Sequence, residues 1–233
     1  QRRGTALSVA AIDDDQGARH RLRAPGAILR SMAMHATASS AQEERDQRVI
    51  LHGLSWKDYE AILAMRGDRG GLRLTYLEGS LEIMAPARYH ERDKKTLARL
   101  LEAYAAERSI ELEGYGSWTV KNEAVERGAE PDECYVLGLH DIDAIVAPDI
   151  AIEVVFTSGG LPKLEVWRKL GAREVWFWKE ARLSFHLLRG EHYVEATRSE
   201  RLPELDPALI ERCMAEPTQS AAVRSLREAL RAG

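Results

Sequence analysis

Apolar residues recur at helical spacing most clearly between Tyr89 and Arg108, where Leu97, Leu100, Leu101, Tyr104 and Ala105 fall on one face. His90 continues that stripe, because the seven positions separating it from Leu97 amount to nearly two full turns at about 100° per residue. Its imidazole is expected to point toward the core, and Glu91 is swung off the stripe. An earlier helix is predicted over Trp56–Met65, with Tyr59, Ile62 and Leu63 on one face and Ser55 with Asp58 resembling a capping box. Between the two, Leu72, Leu74 and Tyr76 alternate with Arg73 and Thr75. Glu78-Gly79 then turns the chain into Leu81, Ile83 and Met84, which reads as a hairpin. Ile110–Glu113 and Trp118–Lys121 read as two strands around a turn at Gly114–Ser117, and Glu133–Leu137 as a further short strand.

The stretch from Ala147 to Trp178 carries the strongest organisation. Ile150–Phe156 is a short apolar strand, Leu161–Leu170 an amphipathic helix and Val175–Trp178 a second apolar strand, an order that predicts a right-handed crossover between parallel strands. Leu183, Phe185, Leu187, Tyr193 and Val194 continue as a meander, and the chain turns helical after Pro203. The fold class is therefore α/β, a mixed sheet flanked by helices. Residues 1–45 lack a sustained period and read as a disordered leader or as sequence preceding a true start at Met32 or Met34. Residues 46–200 form the expected domain and 201–233 a helical extension. Its apolar positions fit a homodimer contact and a packed terminal helix equally well.

Composition narrows the partners. The 233 residues are 45% hydrophobic and 30% charged with a net charge of −4, so any polyanion site must be local rather than a property of the whole field. Cys134 and Cys213 lie far apart without paired spacing, which excludes a cysteine-based zinc site, argues against a disulfide framework and fits a reducing cytoplasm. No apolar run approaches the roughly 20 residues that span a membrane.

Acidic residues inside an apolar strand need a partner or a metal to offset their desolvation. Glu153 is such a residue, and Asp132 opens the preceding strand 21 positions earlier, a separation that two neighbouring strands can close. Asp149 shares a face with Glu153, but at about 3.3 Å per residue their Cα atoms lie roughly 13 Å apart, so it is assigned a supporting role. Asp132 with Glu153 is the better pair for Mg²⁺. Lys163, on the first turn of the following helix, can swing back over the strand and offset charge on a phosphoryl transition state. By spacing alone, a purely structural Glu153–Lys163 pair is an equal reading. His140, Asp141 and Asp143 lie close enough to suggest a metal, but a polar turn explains them more simply.

Several segments together resemble a known family. Arg73-Leu-Thr-Tyr-Leu-Glu-Gly-Ser-Leu-Glu-Ile-Met84, His90-Glu91, Glu130-Pro-Asp132, Pro148-Asp-Ile-Ala-Ile-Glu-Val154, Lys163-Leu-Glu and Gly171-Ala-Arg-Glu-Val-Trp176 resemble the Uma family of restriction-endonuclease-like nucleases, in the PD-(D/E)XK superfamily. The resemblance covers about Leu54 to Thr197. It implies a restriction-endonuclease-like core with a central mixed sheet, a Mg²⁺- or Mn²⁺-dependent phosphodiester hydrolase, and a nucleic-acid substrate, DNA favoured over RNA. Asp132 matches the motif aspartate and Glu153 the motif acid. The lysine expected two positions after Glu153 is replaced by Val155, so the resemblance assigns its role to Lys163.

Three function classes follow. In the first, a nuclease, Asp132 and Glu153 bind the metal, Lys163 assists, and His90 contacts the phosphate or a carboxylate that supports the metal's ligands without binding the ion itself. The second is a catalytically inactive nuclease-fold module for binding or regulation, and the third a hydrolase of small phosphorylated molecules. A groove lined by Arg88, Lys94, Lys95, Lys121 and Arg168 would favour a polymeric substrate.

Overall fold

The computed structural model describes residues 45–156 and 159–232. The expected leader lies outside them. A first strand, β1 (Gln47–His52), leads into helix α1 (Trp56–Arg66). The Ser55 side chain caps the helix by accepting the Asp58 N–H, while the Asp58 carboxylate accepts from the Ser55 backbone at 2.8 Å. The alternating segment that follows is a hairpin of β2 (Arg73–Leu77) and β3 (Ser80–Ala85), paired antiparallel with Leu77 opposite Ser80. Both turn residues have positive φ, 41° at Glu78 and 86° at Gly79, the twist a two-residue hairpin turn requires.

Helix α2 (Arg88–Arg108) buries the predicted stripe of Leu97, Leu100, Leu101, Tyr104 and Ala105. The two strands that follow part company. β4 (Leu112–Gly114) pairs with β7 (Glu133–Leu137), whereas β5 (Val120–Asn122) pairs with β6 (Arg127–Ala129), a strand the alternation did not announce. Each of β4, β5 and β6 has only three residues, too few to display a period.

β8 (Ile150–Val155) and β9 (Glu174–Lys179) run parallel, joined through helix α3 (Lys163–Leu170), and β10 (Arg182–Arg189) and β11 (His192–Ala196) add the antiparallel meander. Helix α3 begins two residues later than the apolar pattern suggested. Leu161 precedes a proline, which disfavours helical backbone there, and Pro162 becomes the cap whose carbonyl accepts from Glu165 and Val166. The chain ends in α4 (Pro207–Met214) and α5 (Gln219–Ala232).

These strands form a six-stranded mixed sheet, ordered β11-β10-β9-β8-β7-β4, and beside it a five-stranded antiparallel sheet, ordered β1-β3-β2-β6-β5. The strand period divides β8 between two cores. Ile150, Ile152 and Val154 join Trp176, Trp178 and Phe185 against the apolar faces of α2, α4 and α5, in a cluster that includes Leu97, Leu101, Ile210 and Leu226. On the opposite face, Ala151 and Val175 pack with Val166, Trp167 and Leu170 of α3 and reach Val120 and Ala129 of the smaller sheet. Glu153 belongs to this second face. The apolar side of α5 is thus used internally.

Helix α1 covers the other face of the smaller sheet, where Tyr59 stacks on Tyr76 with ring centroids 4.9 Å apart. The contact needs a glycine opposite. A Cβ at Gly128 would meet the Tyr59 hydroxyl and lie 2.6 Å from its Cζ, closer than unbonded carbons approach. Gly128→Ala is therefore expected to destabilise the fold by about 1–3 kcal/mol through overpacking, read as a lowered urea midpoint with an unchanged slope. An unaltered midpoint would show that the Tyr59 ring has room to retreat.

Candidate functional site

The register of β7 with β8 ends with Glu133 opposite Ile152, and Asp132, just before β7, stays tied to β8 by donating its N–H to the Ile152 carbonyl at 3.0 Å. The two acids, 21 positions apart in sequence, therefore wall one cavity of about 320 Å³, together with Glu82, Arg48 and Lys163. Both are almost completely buried.

Each acid is held by a different element. Asp132 Oδ2 accepts the Val154 N–H at 2.7 Å, and Oδ1 lies 2.9 Å from His90 Nε2 and 4.0 Å from Arg73 Nε. With His90 protonated, this 2.9 Å contact is a buried ion pair that meets Asp132 Oδ1. His90 is fully buried, and its Nδ1 sits 3.2 Å from Asp46 Oδ2. It supports the aspartate and has no surface to offer a substrate. Glu153 Oε1 accepts from Trp167 Nε1 at 2.7 Å, and Oε2 lies 3.2 Å from Lys163 Nζ, which also donates to Thr75 Oγ1 at 3.0 Å. Lys163 does reach back from the first turn of α3 over β8.

The electrostatics follow from the burial. Desolvation alone would raise Asp132, but His90, the Val154 N–H and Lys163 hold its carboxyl below the ordinary range. Burial pushes Glu153 up, a rise that Lys163 and Trp167 offset in part and that Asp132 reinforces. Burial pulls the Lys163 ammonium down, yet Glu153, Glu82 and Asp132 together outweigh it. Within this pair the lysine's direction prevails: several carboxylates face one ammonium, so the proton stays on Nζ. For His90, burial acts downward, but Asp132 and Asp46 push it up to about 9.

Glu82 is the site residue that the sequence reading passed over. It is 1% exposed, lies 3.3 Å from Arg48 Nε and accepts the Leu161 N–H at 2.7 Å, tying β3 to the segment that leads into α3. Thr75 and Arg73 of β2 reach the site from the same sheet, Thr75 through Lys163 Nζ and Arg73 through Asp132 Oδ1. The alternation of the hairpin could have found all three, because Arg73, Thr75 and Glu82 occupy its polar face.

Other candidates fall elsewhere. Asp149 accepts the Leu137 N–H and pairs with Arg173 and Arg201, at the far end of β8 from the cavity mouth. His140 contacts the Leu137 carbonyl and Asp141 caps a short turn by accepting from Asp143. Lys94 pairs with Glu91, Lys121 with Glu60, and Arg168 with Glu165 and Glu191, and none of these cations lines the cavity. Cys134 and Cys213 are free and buried. Among the described residues no helix is long and apolar enough to cross a membrane.

Among the described residues no cluster of three or more His, Cys, Asp or Glu side chains forms a ready cage for a metal. Magnesium does not require one. It keeps several waters and is commonly held by one or two carboxylates together with substrate phosphate. Asp132 and Glu153 supply two such hard oxygen donors to one cavity. The residues present fit a divalent ion.

The fold and site together define an α/β protein with a mixed sheet whose paired acids meet a lysine from the crossover helix. The chain belongs to the Uma2 family, whose description is "Putative restriction endonuclease" and whose model matches residues 56–216. A solved structure similar to this chain is titled as a putative nuclease belonging to DUF820 from Anabaena variabilis ATCC 29413. It is 10% identical, with a TM-score of 0.43 over 74% of this chain and 99% of that one. No curated protein matches the chain.

His90 makes the stability of the site depend on pH. Its folded pKa of about 9 exceeds the unfolded value near 6.5, so the native state binds more protons between the two. This contribution is complete below about pH 6.5 and is lost as pH rises through 9. Urea denaturation is expected to show stability falling by up to about 3 kcal/mol across that window, and by less in Asp46→Asn, where Asp132 alone still raises His90. Parallel profiles for the two proteins would remove the His90–Asp46 pair as the cause.

Proposed function

We propose that the protein is a divalent-metal-dependent nuclease that hydrolyses phosphodiester bonds, with DNA favoured over RNA. The observation that carries this reading is the convergence of Asp132, Glu153 and Lys163 on one cavity. Membership of the Uma2 family supports it.

Asp132 and Glu153 would hold the ion, Mg²⁺ or Mn²⁺, which when bound supplies a water of lowered pKa and neutralises charge on the phosphoryl oxygens. The remaining work falls to the chain. Lys163, kept protonated by the carboxylates around it, presents a fixed positive charge beside Glu153, where charge accumulates on a phosphoryl group under attack. Thr75 fixes the direction of Nζ and Trp167 fixes the second oxygen of Glu153, so neither side chain has to reorganise during reaction. His90 acts as a positioning residue: held by Asp46, it stabilises ionised Asp132 without touching substrate.

Purified protein incubated with single- and double-stranded DNA and RNA, with Mg²⁺ or Mn²⁺, is expected to cleave. Glu153→Ala and the near-isosteric Glu153→Gln should each lose activity by about 100-fold or more, and Lys163→Met by a comparable factor. Glu153→Gln guards against a misfolding artefact, because removing one partner of a buried pair costs about 3–5 kcal/mol. Cleavage undiminished in folded Glu153→Gln would sink the site assignment, and no cleavage by the wild type under any of these conditions would favour the catalytically inactive module.

A further inference from the structure

We infer that the protein takes single-stranded nucleic acid, and that Tyr89 and Phe156 form the platform on which an unpaired base stacks; this rests on the nuclease reading for the position of the scissile phosphate. Two large aromatic rings stand at the surface, Tyr89 at 38% and Phe156 at 42% exposure. They lie parallel, with an interplanar angle of 6° and centroids 6.4 Å apart, and the Arg88 guanidinium sits 5.0 Å from the centroid of the Tyr89 ring. Guanidinium, phenol and phenyl thus make a short ladder of planar groups. A nucleobase extends such a ladder by stacking, or displaces the guanidinium, which is then placed to meet a phosphate.

Both rings lie close along the chain to residues of the proposed site. Tyr89 immediately precedes His90, which contacts Asp132, and Phe156 follows Val155, which lines the cavity, three residues beyond Glu153. At about 3.3 Å per residue, the Phe156 backbone is roughly 10 Å from that of Glu153. One strand can therefore stack on the rings and present a neighbouring phosphodiester to the acids.

The charge distribution argues in the same direction. A duplex groove would need a track of available cations, since phosphate contacts dominate duplex binding. Of the five cations that would line such a groove, Lys94, Lys121 and Arg168 are paired with carboxylates and Arg88 lies over the Tyr89 ring, and the whole chain carries −4. Base stacking does not depend on that track, and it selects unpaired strands because the faces of paired bases are already covered.

The test measures binding in EDTA, so that it is independent of turnover. The probes are a short fluorescein-labelled oligothymidylate, the same backbone with abasic spacers, and a duplex, read by fluorescence anisotropy. Wild-type protein should prefer the oligothymidylate to the abasic strand by about 10-fold or more, and to the duplex. The double variant Tyr89→Leu with Phe156→Leu, which keeps apolar bulk at two half-exposed positions, should bind the base-containing and abasic strands equally. Tyr89→Phe with Phe156→Trp should restore the preference. Equal binding of the two strands by the wild type, a preference for duplex, or a base preference that persists in the leucine variant each overturns the proposal. The nuclease reading is tested separately by Glu153→Gln: cleavage that needs Glu153 but shows no base preference in binding removes the platform and leaves the nuclease.

Discussion

Burying an ionised carboxylate in a strand covered on both faces costs several kcal/mol unless charge and hydrogen bonds are returned to it. At Glu153 the return comes from Trp167 and Lys163 of one helix, and Lys163 is in turn fixed by Thr75 of the smaller sheet. The same requirement at Asp132 draws in His90 from α2, and through it Asp46. Compensating the two acids therefore ties together both sheets, the crossover helix and the long helix. Much of the site's rigidity is a by-product of that compensation. The helix that shields β8 from water also delivers the lysine, so core and site share one solution.

Long, regular elements were legible from the chain because their signal is additive over many residues. The stripe of α2, the capping box before α1 and the strand-helix-strand unit around Glu153 were all readable, and Asp132 and Glu153, expected to approach from their spacing, line one cavity. The smaller sheet was legible only in its hairpin. β5 and β6 are too short to show a period, and their partners are fixed by long-range pairing rather than by local pattern. The sequence likewise could not say what faces the polar side of the hairpin. Alternation shows that Arg73, Thr75 and Glu82 share a face, but the neighbour that covers that face is decided by tertiary packing. Here it is the cavity wall and the start of α3, which is why Glu82 emerged only with the structure.

Burial alone does not distinguish an acid that does chemistry from one that holds the fold, and the remaining buried carboxylates show what does. Glu174 accepts from Trp176 Nε1, Ser199 Oγ and the Glu200 and Arg201 N–H groups, which fastens the segment after β11 to the sheet. Glu130 accepts from the Leu74 N–H, Thr119 Oγ1 and Arg66. In both, each oxygen has its donors, and neither residue lines the cavity. Asp132 differs in its setting: it faces a cavity shared with Glu153, Glu82 and Lys163, and its Oδ1 is met by the charged His90 ring. Acids that wall a common cavity can be reached by a ligand, whereas acids enclosed by the fold's own donors cannot. Asp149, which shares a strand face with Glu153, falls on the structural side by the same criterion, since the Leu137 N–H and two arginines already satisfy it.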